Sequence, residues 1–577
     1  MRLVQAAALL AIFLLAATQF AQPKETDEKD RAQKRMALIE AILADVPNLK
    51  LAENRGIAYV RAGSILWSID EKRARDLYQN SIAELLNAQQ LAESNTKPNA
   101  SQNELLTGGS TRPQILNAIA SHDAELALEY LVKTRPAAIA RAMTAPAEPK
   151  KISSYSGNNY LAQNEMNMEQ SFVRMAADQS PARAKKLLED SIEKGISNET
   201  MGLLKKLAEK DPYEAAGLTA KVIDKLTEAK LTIDGQPNYQ ALQLSVNFLN
   251  EYISTQKSGN QPQLKYDGPQ MRALADKLIN FFIAQNGNDG SLSYSIIPIV
   301  ENFEPSMTER VKAVAKNTRC RGFCEGYDPE TQELIGRSET TAEQLVAAAA
   351  KVPSYRRSQL YQAAANKMMQ QGDVAGARQL LADNYDDDSL KEALRGLDWQ
   401  ISYKLMNEGR FQEAESIIDQ SPENSRIGGL INLANTAYGR DSEKNKAYAL
   451  AVLTKARDLL GDPPETMYEL QNLMQIASAL SNIDPTEAFQ VYESVVPQIN
   501  ELSDAAAVIN GFQGGGNVRD GEFLITQGTV LGNFGIDMSQ IRSLALQDHD
   551  RAAKLIDSFS RRETRIALRL QLAEGMN

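Results

Sequence analysis

From residue 24 onward, apolar residues recur three and four positions apart, the period of one face of an α-helix. No stretch sustains the apolar–polar alternation of a half-buried strand. A short phrase is set into this pattern: Asp, an Ala four residues on, and an apolar residue three further. It reads Asp70, Ala74, Leu77; Asp123, Ala127, Tyr130; Asp211, Ala215, Leu218; Asp373, Ala377, Leu380; Asp484, Ala488, Val491; and Asp548, Ala552, Leu555. Looser copies begin at Ser180, Arg410 and Glu443.

The phrase predicts the start of a helix. An Asp carboxylate accepts the free amide protons of a first turn. Pro212 and Pro485 follow their Asp at the position where Pro is preorganised, and Ser180-Pro181 repeats the arrangement with a Ser cap. Glu214 and Glu487 fall three residues after their caps, where they would complete capping boxes. The Ala and the later apolar residue share one face, so a small residue there lets a neighbouring helix approach closely.

Each phrase also follows an apolar helical stretch, such as Ile65-Leu66-Trp67 or Met368-Met369. Helix, turn and capped helix make a hairpin. From 373 the phrase returns at 410, 443 and 484, near the 34-residue period of stacked helix hairpins. The expected fold is all-α, an α-solenoid of stacked hairpins with an irregular middle. In chain order we expect a leader over 1–21, a helical region over 22–143 with a polar loop at 94–113, and a linker over 144–166. A middle helical region follows over 167–340, losing the phrase after 232. Repeats resume over 341–577, interrupted at 511–521.

The chain here resembles the tetratricopeptide repeat, with HEAT-type hairpins as the neighbouring alternative. In that family a small residue of the first helix precedes the Ala of the second by twelve positions, as Ala365 precedes Ala377, Ala62 precedes Ala74 and Ser402 precedes Ala414. Gly372 and Gly409 stand at the expected turns. The match is best over 355–500, while the family's Trp, Tyr and closing Pro are mostly missing. The resemblance implies protein or peptide binding on a concave face lined by first helices, and no chemistry. On such helices Asn432 with Asn435, and Gln471 with Gln475, share faces and could meet a peptide backbone; the plainer reading is a solvated face.

The first residues predict export. Arg2 precedes an unbroken apolar run from Ala6 to Ala17, then Thr18, Gln19 and the small Ala21. The run is shorter than the ~20 residues a membrane span needs, so we expect cleavage after Ala21, a periplasmic or extracellular product and no membrane span afterwards. The net charge of −11 makes a nucleic-acid partner a poor fit. Aromatics make up 6% of the residues, and the abundance of Ala and Leu favours helix over sheet. The only two Cys, Cys320 and Cys324, form one close pair, which in an exported chain reads as a disulfide. A redox pair usually has two intervening residues, and a zinc site needs four ligands.

Other motifs carry less. Gly511 to Asn517 has the glycine spacing of a phosphate loop without its Lys and Ser/Thr, so it reads as a flexible interruption. Asp386-Asp387-Asp388 lacks the alternating ligands of a calcium loop and reads as a turn capping a helix at Ser389. Glu493-Ser494 resembles the catalytic pair of lytic transglycosylases but falls inside a second helix. His122 and His549, the only histidines, stand beside cap Asp residues and read as exposed capping turns. Asn99 and Asn198 begin glycosylation sequons. No catalytic, cofactor-binding or metal-ligating set emerges. The expectation is an exported, non-enzymatic scaffold for a protein or peptide partner, with no cofactor. An enzyme or enzyme subunit with a site in 232–340, and a structural envelope component, are the alternatives.

Overall fold

In a computed structural model of the protein, the described residues are 25–95, 100–107, 109–144, 157–180, 182–233, 236–258, 264–285, 292, 295–317, 329–337, 339–352, 354–513, 518–525 and 538–576. The leader, Cys320, Cys324 and Asn99 lie outside them.

The fold is all-α. Residues 25–122 contribute α1 (Glu25–Asp45), a 3-10 turn (Val46–Asn48), α2 (Ala52–Leu66), α3 (Glu71–Ser94), α4 (Ala100–Leu106) and α5 (Thr111–Ala120). Next come α6 (Ala124–Lys133), α7 (Ala137–Thr144), α8 (Gly157–Gln179), α9 (Ala184–Lys194), α10 (Thr200–Ala208) and α11 (Pro212–Glu228). The middle holds α12 (Tyr239–Ser258), α13 (Gly268–Ala284), α14 (Ile296–Phe303), α15 (Thr308–Asn317) and α16 (Pro329–Gly336). Then follow α17 (Ala342–Ala349), α18 (Ser354–Gln370), α19 (Val374–Asn384), α20 (Asp387–Glu408), α21 (Phe411–Asp419), α22 (Glu423–Arg440), α23 (Ser442–Arg457), α24 (Met467–Ile483) and α25 (Pro485–Gln513). The last are α26 (Met538–Gln547), α27 (His549–Asp557) and α28 (Arg562–Glu574). Two small antiparallel pairs are the strands found among the described residues: β1 (Thr232–Ile233) with β2 (Gln236–Pro237), and β3 (Val518–Arg519) with β4 (Glu522–Phe523).

All six strict phrases begin helices as expected. The carboxylates of Asp70, Asp123, Asp373 and Asp548 each accept the amide of the third residue on, at 2.9–3.0 Å. Asp211 and Asp484 accept two amides each. The six Ala side chains are at most 1% exposed, so they are contact points between helices. Ala62, Ala365 and Ser402, the expected first-helix partners, are buried as well. Gly372 and Gly409 end their helices at φ 93° and 80°, where a side chain is strained.

The looser copies fare differently. Ser180 caps nothing, for α9 starts at Ala184 after an uncapped Arg183. The Glu443 copy is out of register: Asp441 is the cap, and Ala449 rather than Ala447 is buried. The boxes expected at Glu214 and Glu487 are not closed, because the Asp211 and Asp484 amides already donate to Leu207 and Leu480 of the preceding helices. Complete boxes occur instead at Thr341 with Gln344 and at Thr466 with Glu469. The loop expected over 94–113 contains α4 and the start of α5. The linker expected over 144–166 ends early, at α8. Its first turns were hidden by polar residues such as Glu165, which is 1% exposed and paired with Arg135 at 2.8 Å.

Contacts divide the chain into two units, 1–122 with 492–577, and 123–491. The expected division follows chain order; this one gathers two distant segments into one unit. In the first unit, α1 and α2 both pack on α28, and on these three helices Ile39, Ile42, Leu66, Ile566 and Leu570 are completely buried. Removing such side chains from water contributes about 1.5–3 kcal/mol each. Arg61 clasps Glu574 with two 2.8 Å bonds, and Arg569 reaches Asp45 at 2.8 Å. The β3–β4 hairpin turns through Asp520 and Gly521, both at positive φ, and lies against the start of α2. There Glu522 accepts the Lys50 and Leu51 amides and Asn54 Nδ2, Arg519 pairs with Glu53, and Arg561 donates to the Gly521 carbonyl at 2.9 Å. The segment expected as a flexible interruption at 511–521 thus ends in an ordered turn.

In the second unit, one apolar core runs from Val173 to Val311 and takes in Leu204, Val222, Phe248, Phe282 and Ile299. The phrase disappears after 232, but helical packing does not. From α17 onward hairpins stack as α18/α19, α20/α21 and α22/α23, and the first helices α18, α20, α22 and α24 are successive neighbours.

Candidate binding face

The row of first helices carries amide and aromatic side chains. On α18, Gln362, Asn366 and Gln370 fall one turn apart, with Gln362 donating to Asn366 at 3.5 Å. On α20 the series is Trp399, Gln400, Tyr403 and Asn407. Gln362 Nε2 lies 4.0 Å from where a Gly396 Cβ would be, so α18 and α20 approach closely there. One glycine inside α22 has a local reason: a Cβ on Gly429 would sit 2.8 Å from Ile418 Cγ2 and 3.6 Å from Trp399 Cζ3. The Trp399 ring therefore rests against α22 while 45% of the residue stays exposed, and Tyr403 beside it is 55% exposed.

Between the end of α18 and α20 lies a groove of about 630 Å³. Met369 forms buried floor, Trp399 and Tyr403 stand on the wall, and Gln370, Gln400 and Asn407 supply amides. Its two charged liners are engaged. Lys404 Nζ lies 3.4 Å from the Met369 and Gln370 carbonyls at the end of α18, the first of which also accepts the Gly372 amide at 3.0 Å. Glu408 accepts from Arg410 at 3.0 Å. Arg410 is forked onto Glu413, which holds the Glu413 carboxyl below the usual glutamate range. Behind Trp399, burial pushes the Asp398 carboxyl up, and its pairing with Arg378 opposes that shift.

The four amides singled out in the sequence, Asn432, Asn435, Gln471 and Gln475, lie on first helices but do not line this groove. Asn432 and Gln471 are half-buried; Asn435 and Gln475 are exposed. The groove's own residues were legible only in part. A Trp and a Tyr four apart on a polar helix face are a signal, because large rings are usually turned inward.

The remaining expected motifs are structural. Asp386 caps α20 through the Ser389 amide at 3.0 Å, as expected. Glu493 is forked onto Arg551 at 2.7 and 2.8 Å, which pulls its carboxyl down. The histidines are half-buried rather than exposed. His122 stacks on Trp67 at 5.4 Å, and burial pushes its imidazole down; His549 Nδ1 lies 3.3 Å from Asp550. Asn198 is exposed in the turn before α10. Among the described residues no helix is long and apolar enough to cross a membrane.

No family model matches the chain, and no curated protein does. Among solved structures it is similar to a "circular tandem repeat protein with novel repeat topology and enhanced subunit contact surfaces". That similarity has 12% identity and covers 94% of this chain and 99% of the other, with a TM-score of 0.15, below the level at which folds correspond. What the chain's own helices define is a helical-repeat protein.

Proposed function

We propose that this protein is an exported helical-repeat scaffold that binds an extended segment of a protein partner along the α18–α24 face, and that it is not itself an enzyme. The supporting observation is the groove beside α20. Two large rings stay exposed there although folding favours burying them, and they stand among amides able to pair with a peptide backbone. Export rests on the apolar run at Ala6–Ala17, and the same reading pairs Cys320 with Cys324 as a disulfide.

Site-specific crosslinking tests the binding face. A photoreactive residue at Tyr403 should trap a defined partner in the native compartment, whereas one at Tyr213, which is 88% exposed on α11, should not. Equal trapping at both positions would refute the assignment. Mature protein recovered outside the cytoplasm should begin at Gln22.

A further inference from the structure

We propose that the groove between α18 and α20 takes an uncharged, proline-rich segment in the polyproline II conformation. This rests on the reading of the groove as a peptide site and adds the chemistry of its occupant.

Charge comes first. Lys404 is turned onto two carbonyls of α18, and Glu408 is held by Arg410. The groove therefore presents no uncommitted ion to draw a charged peptide, and its complement is a neutral one. Hydrogen bonding comes second. The groups that remain are amides of Gln370, Gln400 and Asn407, with the Trp399 indole and the Tyr403 phenol. All can donate a proton. A proline-rich chain is the natural counterpart, since it keeps its carbonyl acceptors while losing amide donors at each Pro. In polyproline II those carbonyls are fully solvated and free to be met from the side.

The walls also exclude the other common ways of holding a peptide. Strand addition needs a free sheet edge, and the groove is bounded by helices. A docked amphipathic helix needs a continuous apolar floor, whereas here Met369 is the buried apolar liner between polar ones. Aromatic rings on a rigid wall suit the remaining mode. Trp399 and Tyr403 are one helical turn apart, about 6 Å along α20. Two residues of polyproline II, at about 3.1 Å each, span the same length. The ligand is preorganised too, so little ordering is needed on binding.

Calorimetry on the full mature chain tests this with three probes: a deca-proline peptide, a neutral Ala/Gln peptide of equal length, and a cello-oligosaccharide, which also stacks on aromatic rings. Deca-proline should bind about tenfold more tightly than the Ala/Gln peptide. Its affinity should hold within about twofold between roughly 0.05 and 0.5 M salt, because no ion pair is involved. Trp399→Ala and Tyr403→Ala should each weaken it about tenfold; Tyr403 is 55% exposed, so its variant should keep the circular dichroism of the wild type, and Trp399→Phe, which keeps a ring against α22, should retain more binding than Trp399→Ala. Equal binding of the two peptides would overturn the proline preference and leave the peptide reading standing. Binding of the oligosaccharide alone, or of none of the three, would overturn both. Strong weakening by salt would show that charge selects the occupant and would refute the proposal.

Discussion

Glu522 accepts a 2.7 Å hydrogen bond from the backbone amide of Lys50, 472 positions earlier in the chain. The Leu51 amide and Asn54 Nδ2 converge on the same carboxylate at 3.2 and 2.7 Å. Leu51 is the N-cap of α2 and makes no side-chain cap of its own. A residue of the β3–β4 hairpin thus accepts the N-cap amide of α2, the part that Gln344 and Glu469 play in the capping boxes of α17 and α24.

Burial pushes the Glu522 carboxyl above its ordinary value and nearby Glu563 adds to this, while the three donors pull the other way. The charged groups packed around it are Lys50, Glu53 and Arg55 near the start of α2, Arg519 on its own hairpin, and Arg561 and Glu563 at α28. A carboxyl with a raised native pKa binds its proton more tightly when folded. Its contribution is therefore full below the unfolded value, near 4.3, and is lost as the pH rises through the native value. Exchange protection at the start of α2 should increase as the pH is lowered from 7 toward 5. Glu522→Ala should erase that trend and, by leaving buried donors unpaired, cost roughly 3 kcal/mol in denaturant unfolding followed by Trp67 fluorescence.

Ala377→Glu and Ala488→Glu should each destabilise their surroundings by more than about 3 kcal/mol, because both side chains are fully buried. Asp373→Ala and Asp484→Ala should cost about 1 kcal/mol, the worth of a cap. Region-resolved hydrogen exchange should place the Ala377→Glu damage in α18–α22 and leave residues 25–122 protected. Wild-type stability in both Glu variants would contradict the packing.

Gly409→Ala should be worse than Gly372→Ala. Both positions need positive φ, which costs a side chain about 1–2 kcal/mol. At Gly409 the new Cβ would also meet Arg440 Cζ at 3.0 Å, whereas Gly372 faces open space. Paired urea titrations should resolve the difference.

His122 offers an optical readout. Its imidazole stacks on Trp67, which also contacts Tyr78 and lies under Arg75. Burial lowers its native pKa, so its contribution is present above the unfolded value near 6.5 and is lost as the pH falls through the native value. In a Trp399→Phe background, Trp67 emission should change with a midpoint below 6.5. The change should vanish in His122→Gln.

The Asp caps are legible in sequence because a cap acts within its own first turn, and Ala74 or Ala552 is buried because helical period places it there. Where the competitor is local, sequence also misleads: the amides that Glu214 and Glu487 were to bind belong to carbonyls of the preceding helix. The β3–β4 turn has a readable sign in Asp520-Gly521, but it sits beside a glycine run that draws the eye to loops. Glu53 and Asn54 look like solvated positions and are buried, since their partners Arg519 and Glu522 lie in a distant part of the chain. The groove stands between these cases. Trp399 and Tyr403 advertise it, while Gln370 joins them only because α18 and α20 are neighbours.

The unit that gathers residues 1–122 and 492–577 also sets an order of events at the ribosome. The first of these segments leaves the exit tunnel long before the second is translated, and the whole of Asp123–Val491 is made in between. At ~5–20 residues per second that interval is roughly 20 to 70 seconds. Through it, α1 and α2 have no α28 to pack on, and the start of α2 has no Glu522. A newborn chain must therefore shelter this half-built surface, by a holding chaperone or by delayed compaction, until α28 arrives.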